Sequence, residues 1–167
     1  MFRFAAMLYK KTLTREQALQ KLKHYCGYQE RSHSEVKEKL YSLGIWKKDQ
    51  DEIIASLIEA GSLNEERFAI AFAGGRFRMK QWGRVKIKYE LKQRQVSDYS
   101  IKQALKQINE EEYSETLKKL AEEKYASLKD EQYLVRKKKT MDYLMQKGFE
   151  YELLVAAIQT ITVKKSP

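Results

Sequence analysis

The sequence predicts an all-α protein, a tandem array of three three-helix units that form an elongated, curved helical rod. Turn residues are few: the 167 residues include only seven glycines and a single proline, at the last position. A β-sandwich or barrel of this length needs many more glycines and prolines. Lys, Glu, Gln, Leu and Ala dominate, and all favour helices. Charged residues reach 34% beside 43% hydrophobic residues, which indicates much surface per residue, as in a thin helical protein.

The three units share one spacing of apolar residues. In each unit a leucine precedes an apolar residue by five positions, and two further apolar residues follow nine and twelve positions later. These residues are Leu40, Ile45, Ile54 and Leu57 in the first unit, Leu91, Val96, Leu105 and Ile108 in the second, and Leu144, Phe149, Ile158 and Ile161 in the third. Such units stack neighbour on neighbour, which predicts the rod.

Each unit also contains an earlier helix. Its apolar residues lie three or four positions apart, which places them on one helix face. They are Ala18, Leu19 and Leu22, then Phe68, Ala69 and Phe72, then Leu117, Leu120 and Ala121. The predicted organisation is an N-terminal extension at 1–13, units at 14–62, 63–109 and 110–161, and a tail at 162–167.

Capping residues mark the predicted helix starts. Thr14 with Gln17, and Ser32 with Glu35, have the spacing of capping boxes, in which side chains bind the free amides of the first turn. Further N-caps are predicted at Asn64 and at Ser97 or Asp98.

Glycines mark three helix ends. Gly44, Gly61 and Gly148 stand where a left-handed residue is expected to end a helix. The middle unit has Gln95 at the position of Gly44 and Gly148. Either Gln95 carries backbone strain or that helix ends differently.

The positive charge is concentrated in the middle of the chain. The net charge is +10, of which residues 1–62 carry +3, residues 63–109 carry +7 and residues 110–167 carry none. A positive middle unit indicates an anionic partner, with nucleic acid first and an acidic protein or membrane surface second. Solubility alone is the alternative explanation.

The basic residues of this region are the predicted contact site for DNA or a filament: Arg76, Arg78, Lys80, Arg84, Lys86, Lys88, Lys92 and Arg94. Within it, Arg84, Lys88 and Lys92 are four apart and align on one helix face, where such a row can follow a phosphate backbone. The interleaved aromatic residues Phe77, Trp82 and Tyr89 are candidates to stack on unpaired bases, or else core residues.

A secondary basic run consists of Arg136, Lys137, Lys138 and Lys139. Consecutive charges point all round a helix and form no single face, so a solvated helix start is as good an interpretation as a contact.

No catalytic or cofactor site is expected. Cys26, the only cysteine, excludes an internal disulfide and fits a reducing compartment. His24, Cys26 and His33 lack a fourth ligand and regular spacing, so no metal site is predicted. The sequence contains no phosphate-loop or hydrolase motif and no run long enough to span a membrane. A cytoplasmic protein that is not an enzyme is expected.

The stretch Leu63-Asn64-Glu65-Glu66-Arg67-Phe68-Ala69 resembles the most characteristic segment of the RecX family. Gly83-Arg84, Ile87, Glu90-Leu91 and Val96 follow at the family's spacing, and the stretch from Glu30 to Val36 with Lys39-Leu40 and Gly44 resembles the entry to its second helix. The resemblance covers about residues 15 to 161. Glu66 replaces an expected aspartate, and Gln95 an expected glycine.

This resemblance implies an elongated helical regulator that lies in the groove of the RecA filament on single-stranded DNA. It implies suppression of ATP hydrolysis and strand exchange, hence regulation of DNA repair, recombination and the SOS response. The expected partners are the RecA filament and single-stranded DNA, with double-stranded DNA as a further candidate. No membrane partner is expected, and the protein itself is expected to be a monomer. The alternatives are a general helical DNA- or RNA-binding protein and a protein-binding adaptor.

Overall fold

A computed structural model describes residues 13–163, which form nine α-helices and no strand. The helices are α1 Arg15–Tyr28, α2 His33–Ser42, α3 Lys47–Glu59, α4 Glu65–Lys80, α5 Arg84–Gln93, α6 Asp98–Lys106, α7 Glu110–Ser127, α8 Tyr133–Lys147 and α9 Tyr151–Val163. The predicted all-α class is therefore confirmed. Residues 1–12 of the predicted extension and 164–167 of the predicted tail lie outside the described residues.

The predicted helix starts are confirmed. Thr14 and Ser32 each form both halves of a capping box. Asn64 accepts the amide of Arg67 at 2.8 Å, and Ser97, not Asp98, is the N-cap of α6. These side chains satisfy amides that have no partner within the first turn of a helix.

The chain divides into two compact units between Phe68 and Ala69, within α4. In the first unit α1, α2 and α3 pack on one another around Leu22, Leu40 and Ile53, which are completely buried. In the second unit α5 packs on α6, and α7, α8 and α9 pack together. The finer boundaries at residues 62, 109 and 161 stay a prediction.

One backbone motif ends the second helix of each predicted unit. The amide of the apolar residue donates to the carbonyl of the leucine five positions before it, in the pairs Ile45 to Leu40 at 3.1 Å, Val96 to Leu91 at 3.2 Å and Phe149 to Leu144 at 3.4 Å. This is the long hydrogen bond of a Schellman motif, which brings its last residue back onto the helix. All three apolar residues are buried, so the repeated spacing reflects a repeated helix end.

Left-handed residues occupy the turn of each motif. The φ angles of Gly44 and Gly148 are +76° and +87°, and Gly61 has +68° at the end of α3, as predicted. Gln95 has φ +58°. Of the two predicted alternatives, backbone strain at Gln95 or a different helix end, the structure therefore shows backbone strain. A side chain in this conformation costs about 1 kcal/mol relative to glycine.

Replacing Gln95 with glycine is expected to raise the free energy of unfolding by about 1 kcal/mol, because it relieves this strain. Urea denaturation followed by circular dichroism measures the change. Gln103→Gly, inside α6, is the control and is expected to destabilise by about 0.5–1 kcal/mol. A loss of stability in Gln95→Gly would contradict the strain.

Candidate anion-binding surface

Helix α5 carries the centre of the predicted basic site. Ile87 and Leu91 are completely buried, so the helix repeat turns Lys88 and Lys92 away from the core. Both lysines are exposed, and Tyr89 beside them is 60% exposed. The α5 surface therefore combines two cations with an aromatic ring.

Two lysines of α6 extend this surface across a groove. Lys102 and Lys106 are exposed and line the same groove as Lys88 and Lys92, with Ile101 and Leu105 also in its lining. This second pair was not among the predicted contact residues, since it lies beyond the dense basic segment of the sequence. The sequence feature that could have identified the pair is the four-residue spacing of Lys102 and Lys106 on the polar side of an amphipathic helix.

Arg84 is directed to a junction inside the second compact unit. Its guanidinium lies 2.7 Å from Glu110 and 3.7 Å from Glu150, and 4.0 Å from the centre of the Tyr113 ring. The side chain is only 18% exposed. Arg84 thus shares the helical spacing of Lys88 and Lys92, but it joins α5 to α7 and to the start of α9.

Tyr113 completes this junction. It is 1% exposed, its hydroxyl accepts the backbone amide of Arg84 at 2.9 Å, and it donates to Glu150 at 2.6 Å. Burial, and then the hydrogen bond to Glu150, raise the pKa of Tyr113 well above its usual value. The hydroxyl therefore stays protonated and remains a donor to Glu150.

The first turn of α5 meets the last turn of α8. Gly83, the N-cap of α5, donates its amide to the carbonyl of Lys147 at 2.8 Å, and Val85 donates to Gly148 at 3.0 Å. The amides at the start of α5 thus satisfy carbonyls at the end of α8, and the positive end of the α5 dipole lies beside the negative end of the α8 dipole. A Cβ on Gly83 would lie closer than 3.0 Å to the Gly148 carbonyl, and one on Gly148 would meet the backbone of Lys86 equally closely.

Three further predicted contact residues lie against aromatic rings. Arg76 and Lys86 lie 5.2 Å and 4.6 Å from the centre of the Trp82 ring. Arg94 lies 4.7 Å from the Phe72 ring and forms an ion pair with Glu90 at 2.8 Å. Such cation–π contacts hold the side chains in place, so these cations contribute to the local packing of the unit.

The other predicted contact residues are exposed: Arg78, Lys80, Lys88 and Lys92. Lys92 lies 3.3 Å from Asp98, an exposed ion pair that holds it only weakly. Arg78 lines a separate depression beside Glu112 and Glu115. The exposed pair on α5 is therefore the part of the predicted site that forms a continuous basic surface with α6.

The predicted stacking residues differ in exposure. Phe77 is 5% exposed and its ring centre lies 5.6 Å from that of Tyr113, so it is a core residue. Trp82 is half-buried under Arg76 and Lys86. Tyr89 is the most exposed of the three.

The secondary basic run is largely engaged with its own surroundings. Arg136 lies 3.7 Å from the Tyr125 ring centre and donates to the Tyr125 carbonyl. Lys138 pairs with Asp142 at 3.4 Å, and Lys139 pairs with Glu131. These contacts favour the structural interpretation of this run.

Other candidate groups in the described residues lead to no site. Arg67 pairs with Glu30 at 2.6 Å and donates to the Gly61 carbonyl. Between residues 13 and 163, no three His, Cys, Asp or Glu side chains come together in a group that could hold a metal ion. In the same range, no helix has the length and apolar character needed to cross a membrane.

Two family profiles match this chain. Residues 64–105 match the second three-helix domain of RecX, and residues 110–158 match its third three-helix domain. The first match covers α5 and all of α6 except its last residue, Lys106, and the second covers Tyr113, Gly148 and Glu150.

Curated relatives and a solved structure resemble the chain over most of its length. The regulatory protein RecX of Pelodictyon phaeoclathratiforme is 28% identical over 80% of this chain and 82% of its own. That of Prosthecochloris aestuarii is 30% identical over 82% and 88%. The crystal structure of RecX from Lactobacillus salivarius superposes with a TM-score of 0.80 at 26% identity, and covers 89% of this chain and 97% of that one.

Proposed function

The chain belongs to the RecX family, and from this premise we propose that it is a regulatory protein that binds the RecA filament on DNA. In this proposal it inhibits ATP hydrolysis and strand exchange by the filament, and so regulates DNA repair, recombination and the SOS response. It acts by binding, in the cytoplasm and as a monomer, and carries no catalytic centre or cofactor.

The observation that carries the proposal is that the likeness covers about four fifths of the chain, through two successive domains of the family. The lysine-lined face of α5 and α6 supports it, because a filament on DNA presents phosphates and acidic side chains. We assign this face to filament or DNA contact, and we assign exposed Arg78 and Lys80 of α4 to a separate contact of the same kind.

The test is ATP hydrolysis by RecA on single-stranded DNA while this protein is titrated in well below the RecA concentration. DNA is kept in excess, so that simple competition for DNA does not reduce the rate. We expect inhibition at substoichiometric amounts, because a regulator that binds assembled filament acts on many subunits together. Unchanged hydrolysis over the whole titration would contradict the proposal.

A general DNA- or RNA-binding protein is the second candidate. The specific observation that favours it is Tyr89, exposed between Lys88 and Lys92, since exposed aromatic rings between cations bind unpaired bases. This candidate predicts salt-sensitive binding to bare nucleic acid without inhibition of RecA. Fluorescence anisotropy with labelled oligothymidylate, beside the hydrolysis assay, separates the two functions.

A further inference from the structure

The groove between α5 and α6 has two lysine-lined sides and an apolar floor. Lys88 and Lys92 lie on the α5 side, and Lys102 and Lys106 on the α6 side. Within each pair the lysines are four residues apart, so each pair follows one face of its helix. The groove is open and has a volume of about 620 Å³.

The charge of this groove is positive after its own ion pairs are taken into account. Five basic and two acidic side chains line it. The acids are Asp98, which lies 3.3 Å from Lys92, and Glu110, which lies 2.7 Å from Arg84. Both acids thus face a cation of the groove, which leaves the surplus on Lys88, Lys102 and Lys106. These three lysines are exposed, and together they favour an occupant with several negative charges.

The floor of the groove distinguishes between kinds of anion. Ile101 is 2% exposed, and Leu105 next to it is half-buried. A sugar–phosphate backbone offers little to an apolar floor between the two lysine pairs. A peptide with large apolar side chains and flanking carboxylates complements the floor and both sides together, in the manner of a segment that places apolar anchors in a groove.

We propose that this groove binds an acidic protein segment that carries a large apolar side chain. The proposal deepens the proposed function and rests on it for the source of the segment, because it assigns this face to the protein partner of the filament and not to DNA. The lysines then set the orientation and the association rate, and burial of the apolar side chain against Leu105, the accessible residue of the floor, gives the contact its specificity.

The test uses a fluorescein-labelled, Glu-rich peptide of about ten residues with a Leu and a Phe one helical turn apart, a spacing typical of anchors in grooves. Fluorescence anisotropy measures its binding to the full chain. Lys102→Glu with Lys106→Glu is expected to weaken binding about tenfold or more. Lys118→Glu with Lys129→Glu, which changes two exposed lysines outside the groove, is the charge-matched control and is expected to bind almost as well as the unchanged chain.

A second probe, with alanine in place of Leu and Phe, tests the apolar floor without altering the protein. Weaker binding of the alanine probe supports the proposal. Equal binding of both probes would overturn the proposal, because the groove would then be a general anion site. The proposal would also be overturned if oligothymidylate displaced the peptide and the Lys102 and Lys106 variant lost oligothymidylate binding, because the groove would then be a nucleic-acid site. The peptide assay contains no RecA, so failure of the proposed function in the hydrolysis assay is seen separately.

Discussion

Replacing Gly83 with alanine is expected to lower the free energy of unfolding by about 3 kcal/mol, the upper end of the usual cost of overpacking. The backbone of Gly83, with φ −75° and ψ 165°, is one that alanine adopts easily. The cost therefore comes from space alone. The added Cβ would lie closer than 3.0 Å to the carbonyl of Gly148 and the amide of Phe149, which are backbone atoms and cannot rotate away.

The consequence of that clash is a separation of α5 from α8. The amides of Gly83 and Val85 would lose the carbonyls of Lys147 and Gly148. The amide of Arg84 would move away from the hydroxyl of Tyr113. Three successive amides at a helix start would be affected together, since Gly83 has no side chain to cap them.

Urea denaturation measures the loss, and native-state hydrogen exchange at Gly83 and Val85 locates it. Gly75→Ala is the matched control, because Gly75 lies within α4 and its Cβ would meet no atom within 4 Å. That variant is expected to gain about 0.5–1 kcal/mol, as alanine is the better helix former. If Gly83→Ala were as stable as the unchanged chain, the result would contradict the close backbone contact between the start of α5 and the end of α8.

The helix ends were predictable from the sequence because they depend on local interactions. The capping boxes at Thr14 and Ser32 and the left-handed Gly44 and Gly148 all depend on residues within five positions along the chain. The register of apolar residues reflects the same local geometry. Comparing one position across three units singled out Gln95, but left open whether the residue is strained or the helix ends differently, and only its φ of +58° decides for strain.

The division of the basic residues between surface and interior was not predictable in this way. Arg84 has the same helical spacing as Lys88 and Lys92, and only its distant partners distinguish it. Those partners, Glu110 and Glu150, reach it through the packing of α5 against α7 and the loop before α9. Periodicity shows which face of a helix a residue occupies, but not which other helix end lies next to that face.

The placement of two lysine pairs on opposite sides of one groove was likewise not predictable from the sequence. Lys102 and Lys106 come from another helix than Lys88 and Lys92, and the intervening turn at Gln95 brings α6 beside α5. A count of charge along the chain places all four in one positive region. It does not show that they line one groove, which depends on the angle between two helices.

Reversing the charge of both exposed α5 lysines together tests their part in the proposed action on RecA. Lys88→Glu with Lys92→Glu is expected to raise the concentration for half-inhibition of RecA ATP hydrolysis about tenfold, and to flatten its dependence on salt, because attraction to acidic side chains of the filament becomes repulsion. Arg84 and Lys86 stay unchanged, since their contacts with Glu110, Glu150 and Trp82 hold the unit together.

Hydrolysis assays at several salt concentrations measure this effect, with Lys118→Glu and Lys129→Glu as the variant of equal charge. Lys92 lies beside Asp98, so circular dichroism must first show that both variants are folded. An equal loss of inhibition in both variants would mean that the overall field of the protein, and not this face, attracts the filament. Unchanged inhibition by the Lys88 and Lys92 variant at every salt concentration would remove α5 from the contact. A selective loss in that variant is the result we expect, because its two lysines lie on the exposed face of α5 next to Lys102 and Lys106.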